Sequence, residues 1–272
     1  MIITYNASDI AALINRNPYK QPEEIIHNIL CKLKKEENKT DKNKFKNISN
    51  DNTLELLNLF STDLSKQDID DFKSKLTNIT NPDDKLKLDK QIMEKISKKS
   101  INIKNTTECI DLQKKFEDKL DTVLDKNNTK EIKEYMNGFV NKKRGIKNED
   151  NIIQQYSKKH KKNITHNNSK LYKTKLFTLD NNDFYICGKI DGIENDELIE
   201  VKNRKNKLFS FIPEYEQIQI EIYFRLTNLK KGKLIQNYND EQSIILIEQN
   251  DDLWSLIQTE LNNISNIIIS QL

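Results

Sequence analysis

Apolar residues recur at helical spacing near the start of the chain. Ile10, Ala11, Leu13 and Ile14 follow Ser8, which predicts a short helix with that serine as its N-cap. Pro18 interrupts it, and a second helix is predicted from Pro22. Glu23 and Glu24 lie in its first turn, where acidic groups suit the helix dipole. Its stripe is Ile25, Ile26, Ile29, Leu30 and Leu33. From 34 to about 52 the apolar pattern gives way to Lys, Asn, Asp and Glu, so a linker or mobile loop is expected. Short helices are predicted at 54–60, 72–76, 88–96, 112–124 and 132–140.

After Lys142 the texture changes. A helix at 149–156 precedes strand-like runs at 171–179, 184–190 and 197–201. A helix is predicted at 214–226, then strands at 233–238 and 243–248 joined by the turn Asn239-Asp240. Asp251 or Asp252 can cap a last helix with the stripe Leu253, Leu256, Ile257, Leu261, Ile264 and Ile268. The order predicts an α/β fold, a central mixed sheet flanked by helices and carrying a large helical insertion. Three segments follow: N-terminal helices of the core at 1–35, the insertion at 36–140 and the main α/β core at 141–272.

Charged residues make up 32% of the chain and hydrophobic ones 35%, so no generous core is expected. The net charge of +3 neither proves nor opposes a nucleic-acid partner, because a local basic groove matters more than the total. Cys31, Cys109 and Cys187 lie far apart, which argues against zinc and iron–sulfur sites. No apolar run reaches membrane-spanning length and the start lacks a signal-peptide pattern, so a soluble, intracellular protein is expected.

The chemistry concentrates in ICGKIDGIENDELIEVKNR, residues 186–204. One strand ends at Asp191-Gly192, a turn holds Asn195-Asp196, and a second strand carries Glu200-Val201-Lys202. Residues two apart on a strand share a face, so Glu200 and Lys202 emerge together, and the hairpin brings Asp191 alongside. Two carboxylates so placed repel and call for a cation. Hard oxygen ligands select Mg²⁺, with Mn²⁺ as substitute. Glu-x-Lys also occurs at Glu37, Glu117 and Glu131, but only the copy at Glu200 sits on a predicted hairpin. A solvated acidic hairpin with an edge-strand lysine fits these residues equally well.

Asp191…Glu200-x-Lys202 resembles the PD-(D/E)XK nuclease signature, with Ile190 at the usual proline position. Three further blocks resemble the lambda exonuclease and YqaJ-like viral recombinase branch of that superfamily. They are NASDIAALINRNPYKQPEEII near the start, RGIKNEDNIIQQY from Arg144, and YEQIQIEIYFRLT from Tyr215. The blocks occur in the family's order and cover over half the chain.

The resemblance implies a restriction-endonuclease-like core and a 5′→3′ exonuclease on double-stranded DNA ends, requiring Mg²⁺ and serving viral or phage recombination or replication. It makes Asp191 and Glu200 the principal metal ligands, with Glu149 and the Val201 carbonyl completing the set. Lys202 would position the nucleophile, and Gln217 matches the family's active-site glutamine, with Glu221 a weaker candidate on the same face and Gln219 expected to point elsewhere. Ser8 matches a serine that helps hold a 5′-phosphate, alongside its reading as a cap. The family's upstream arginine has no counterpart before Ser8, which leaves that role to Arg16, Lys20 or a basic residue of the insertion. A single-strand annealing protein and homo-oligomerisation are implied as well, with location in the host cytoplasm or at the site of viral DNA replication. A structure-specific endonuclease and a non-catalytic recombination accessory stay open.

Clusters containing Lys143 and Arg144, Lys158 to Lys162, and Arg204 with Lys205 fit a DNA track. Ordinary surface lysine explains them equally well in so lysine-rich a chain. His27, His160 and His166 show no metal-ligand spacing.

Overall fold

The computed structural model describes residues 1–34, 48–124, 126–165 and 170–272, with backbone only for 126–128. Most of the predicted linker, together with Glu37 and His166, lies outside the described residues. The chain divides into two compact units, Met1–Glu37 with Asn148–Leu272, and Asn38–Lys147.

The first unit is mixed α/β. It contains β1 (Ile2–Asn6), α1 (Ala7–Leu13) and α2 (Pro22–Leu33), then β2 (Tyr172–Leu179), β3 (Asn182–Gly188), β4 (Gly192–Glu194) and β5 (Glu197–Asn203). Helix α9 (Glu214–Thr227), strands β6 (Lys231–Tyr238) and β7 (Glu241–Glu248), and helix α10 (Asp251–Ser270) complete it. The strands form two sheets rather than the one central sheet expected. Their orders are β1-β3-β2 and β4-β5-β6-β7, and each mixes parallel and antiparallel neighbours.

Strand β5 runs between β4 and β6, and four consecutive residues from Leu198 to Val201 are buried, as suits a strand covered on both faces. One face places Ile199, Val201 and Ile235 against Ile152, Ile153 and Tyr156. The other places Leu198 and Leu234 in the larger core with Ile218 and Ile222 of α9 and Ile257 and Leu261 of α10. Glu200 and Lys202 share the parity of Leu198 and therefore face α9. At Gly232 on β6 an added Cβ would lie 2.5 Å from the Leu198 carbonyl oxygen, so only glycine lets β6 approach β5 this closely.

With 5 glycines in the chain, the tight turns use Asn and Asp instead. Seven of the eight described non-glycine residues with positive φ are Asn or Asp, which tolerate the left-handed region better than other L-residues. Asp180-Asn181 and Asn195-Asp196 both have positive φ at two successive positions, as two-residue hairpins require.

The second unit is helical: α3 (Asn50–Leu59), α4 (Lys66–Asn78), α5 (Pro82–Ile96), α6 (Lys98–Asn102), α7 (Thr106–Leu120) and the first part of α8 (Lys126–His160). It has its own core of Leu56, Leu57, Phe60, Ile92, Met93, Ile96, Phe116, Leu120 and Ile132. Ile48, from the stretch expected to be a linker or mobile loop, joins that core.

Several expectations change. Helices predicted separately at 132–140 and 149–156 are one 35-residue helix, because nothing between them breaks the backbone hydrogen bonding; Gly145 is tolerated in its interior. Strand β1 was not expected, and α1 follows it directly with Asn6 at the N-cap position, so Ser8 lies inside the first turn. Asn250, accepting from the Leu253 N–H, caps α10 in place of Asp251 or Asp252. Among the described residues no helix is long and apolar enough to cross a membrane.

Candidate active site

The strand predicted at 184–190 ends two residues early, and the strand that pairs with β5 is a separate one in the other sheet, β4. β3 stops at Gly188, the chain crosses at 189–191, and β4 begins at Gly192. An added Cβ at Gly188 would lie 2.7 Å from the Tyr223 ring, so the crossing needs a residue without a side chain. Pairing of Gly192 with Ile199 then sets Asp191 beside Glu200. Asp191 Oδ2 accepts a 2.7 Å hydrogen bond from the Val201 N–H, which pins the carboxylate to β5.

Glu200 is 2% exposed and Asp191 7%. Lys202 Nζ donates to Glu200 Oε1 at 2.7 Å and to Gln219 Oε1 at 3.0 Å. Gln219 Nε2 in turn donates to the Tyr223 hydroxyl at 2.9 Å. Strand β5 thus holds the lysine on one side and α9 holds it on the other.

The charges do not balance. Burial, then the negative charges of Glu200 and Glu149, push the Asp191 carboxyl well above its ordinary range; Lys202 and the Val201 N–H oppose this incompletely. Burial alone would lower the Lys202 ammonium, but Glu200 and Asp191 outweigh it and hold it above the usual lysine range. The Tyr223 hydroxyl is pushed far up by burial and by the same two carboxylates.

The donor set fits a hard divalent cation. Glu200 Oε2 is buried without a hydrogen-bond partner, beside a second buried carboxylate, and an orphaned anionic oxygen carries a large desolvation cost. Among the described residues no three His, Cys, Asp or Glu side chains gather into a metal cage. Glu149, expected to complete the ligand set directly or through water, acts on Asp191 through its negative charge. One or two carboxylates are the usual protein share of a Mg²⁺ site, because this ion keeps several waters. Val201 is buried, and its side chain packs in the apolar cluster on the opposite face of the sheet.

Other expected residues stand elsewhere. Gln217 is exposed and folds back to donate to the Ile212 carbonyl at 2.6 Å, while Gln219 occupies the position expected of it. Glu221 is buried in a structural role: it accepts from Arg225 and from the Asn250 N–H, joining α9 to the start of α10.

Arg204 is buried, paired through both terminal nitrogens with Glu216 and through Nε with Gln236, so it does not present its charge to a DNA backbone. Arg144 is likewise buried in the helical unit and donates to the Lys104 carbonyl. Lys143 is exposed in that unit with its ammonium near the Phe139 ring, and Lys205 is exposed in the α/β unit. Ser8 is exposed, Arg16 forms an ion pair with Glu214, and Lys20 pairs with Asp9.

From sequence, Gln219 is expected to point away from the site and Tyr223 carries no role; four apart, the two share a helix face, which no polar pattern marks as the inward one.

No family model and no curated relative matches this chain. Solved structures give slight likenesses. SSO0001 is 16% identical with a TM-score of 0.34, over 44% of this chain and 56% of that one. The alkaline exonuclease LHK-Exo of Laribacter hongkongensis, solved also in complex with dAMP, is 16% identical with a TM-score of 0.36, over 47% and 68%. The chain thus spans little more than half the length of SSO0001.

Proposed function

We propose that this protein is a divalent-cation-dependent deoxyribonuclease that hydrolyses phosphodiesters at Asp191, Glu200 and Lys202. The observation that carries the reading is the unbalanced pair of buried carboxylates with one orphaned oxygen, beside a lysine gripped from two elements. Bound between these carboxylates, Mg²⁺ or Mn²⁺ would offset charge on the scissile phosphate and lower the pKa of a water.

The chain's own residues account for the rest. Asp191 and Glu200 supply anionic oxygens for the cation, and Asp191 is pre-oriented by the Val201 N–H. A lysine ammonium has three donors. Two are committed to Glu200 and Gln219, and the third remains for the attacking water or a phosphate oxygen. Gln219, itself tied to Tyr223, keeps Lys202 from collapsing fully onto Glu200. In its finer form the proposal is a 5′→3′ exonuclease on double-stranded ends, serving viral or phage recombination with an annealing partner. That form is supported by the sequence resemblance.

The test is incubation with linear and covalently closed duplex DNA, each strand end-labelled, with Mg²⁺ and with chelator. Degradation of linear DNA alone, abolished by chelator and by Lys202→Ala, is the expected result. Cutting of closed circles would move the activity to an endonuclease at the same site. Full activity in Lys202→Ala would sink the assignment.

A further inference from the structure

The loop from β5 to α9 joins the strand carrying Lys202 to the helix carrying Gln219. Its base is locked. The Arg204 guanidinium is bonded to Glu216, with Nη2 to Oε2 at 2.8 Å, and to Gln236 Oε1 at 2.6 Å, and it lies 4.4 Å over the Phe209 ring. Gln236 also exchanges two hydrogen bonds with the Phe209 backbone, at 2.9 and 3.3 Å.

The tip faces solvent. Phe211 is 65% exposed, with its ring nearly parallel to that of Phe209, 6.0 Å away. Lys205 and Lys207 are exposed on the same loop, and neither joins an ion pair among the described residues. Tyr19 is 79% exposed and meets Tyr215, in the first turn of α9, edge to face at 5.7 Å.

We infer that this loop and Tyr19 form a stacking platform for an unpaired DNA strand, with Phe211 and Tyr19 receiving base faces and Lys205 and Lys207 the phosphates. The inference rests on the nuclease reading and names its substrate class: a single-stranded tail or frayed end rather than a fully paired blunt duplex. An exposed phenylalanine on one loop with two exposed lysines, and an exposed tyrosine against the first turn of the helix that the loop enters, suit a ligand with flat apolar faces and regularly spaced anions. Bases offer such faces only once out of the duplex stack. The buried clamp keeps Phe211 outward instead of letting it fold into the core. Because the loop springs from both site-bearing elements, nucleotides neighbouring a phosphate at Lys202 come within its reach.

The experiment is fluorescence anisotropy of a short labelled oligo(dT) and of a blunt hairpin duplex, in chelator to prevent cleavage. Phe211→Ala and Tyr19→Ala are each expected to weaken oligo(dT) binding on the order of tenfold, with blunt-duplex binding and thermal melting unchanged. Unmoved oligo(dT) affinity in both variants, or no oligo(dT) binding by the wild type, overturns the platform. An equal loss on the blunt duplex also overturns it, since the residues would then not read unpaired bases. The cleavage assay separates the two readings. Metal-dependent cleavage with unmoved oligo(dT) affinity rejects the platform alone. Lost affinity in the variants, from a wild type that never cleaves DNA, rejects the hydrolytic assignment and leaves the strand-binding surface standing.

Discussion

The β4–β5 hairpin and the residue just before it place two acids beside a lysine on each face of the sheet, and the two sets behave oppositely. On the face toward α9 are Asp191 and Glu200 with Lys202; on the other, Glu194 and Glu197 meet Lys233 of β6. Glu194 is fully buried, yet its pKa lies below the ordinary range. Burial alone would raise it, but the hydrogen bond and charge of Lys233, with a 3.1 Å hydrogen bond from the Tyr156 hydroxyl, outweigh that. Asp191 is pushed the other way, by burial and then by the charges of two more carboxylates, Glu200 and Glu149, which Lys202 does not offset. Similar acids on one hairpin thus meet a compensating lysine on one side, although Glu194 Oε1 is buried without a hydrogen-bond partner just as Glu200 Oε2 is, and form an undercompensated site on the other. What separates them is the balance of partners each face meets, and uncompensated charge is what functional sites retain at a cost in stability.

The largest expected effect is on activity at the unbalanced face. Asp191→Asn removes a repelling buried charge while keeping an acceptor for the Val201 N–H. It should lower the cleavage rate on the order of 10²–10⁴-fold and leave the melting temperature unchanged or higher. A melting temperature that fell with the rate would place Asp191 in the structural class.

The charge-compensated face should respond in reverse. Glu194→Gln strips the buried partner from Lys233 and should cost about 3 kcal/mol of stability, read by denaturant titration, with cleavage by the folded fraction unaltered. A sign follows for pH. Because the folded-state pKa of Glu194 is depressed, its stabilisation is fully present above the ordinary glutamate range, near 4.3, and is lost as pH falls through the folded value. Stability measured from neutral to acidic pH should therefore fall less steeply in Glu194→Gln than in wild type.

The smallest effect sharpens the comparison within α9. Gln219→Ala frees Lys202 on one side and should reduce cleavage roughly 10- to 100-fold with little change in melting. Gln217→Ala removes only a surface bond to the Ile212 carbonyl and should leave the rate within about twofold, well under one 1.4 kcal/mol decade. Equal losses in both variants would mean that the helix is placed differently against the site.

These contrasts also explain what could be read in advance. The Asn195-Asp196 turn and the Glu200-x-Lys202 spacing are local, and a two-residue period has one phase, so the hairpin and its acidic pairing were legible. The phase of α9 was not. Ile218, Ile220 and Ile222 alternate as a strand would, and all three are buried because the helix is covered nearly all round, so no polar face revealed which glutamine points inward. Burial of Arg204 was equally hidden. Its partner Glu216 lies 12 residues away on another element, and a basic residue in a basic run reads as solvent-facing. Strand β1 pairs with β3 across about 180 residues, too far for any local pattern to register.

By itself, the sequence determined the α/β order of the second half, the helical character of the middle, the turn chemistry, and Asp191, Glu200 and Lys202 as a set, since each follows from spacings within a few residues. Only the tertiary structure decided the split into two sheets, the choice of Gln219 over Gln217, the withdrawal of Arg144 and Arg204 into structural pairs, and the imbalance between the hairpin's faces. Those depend on which distant side chains share a desolvated volume, and the energy of a buried charge is set by its neighbours in space rather than in the chain.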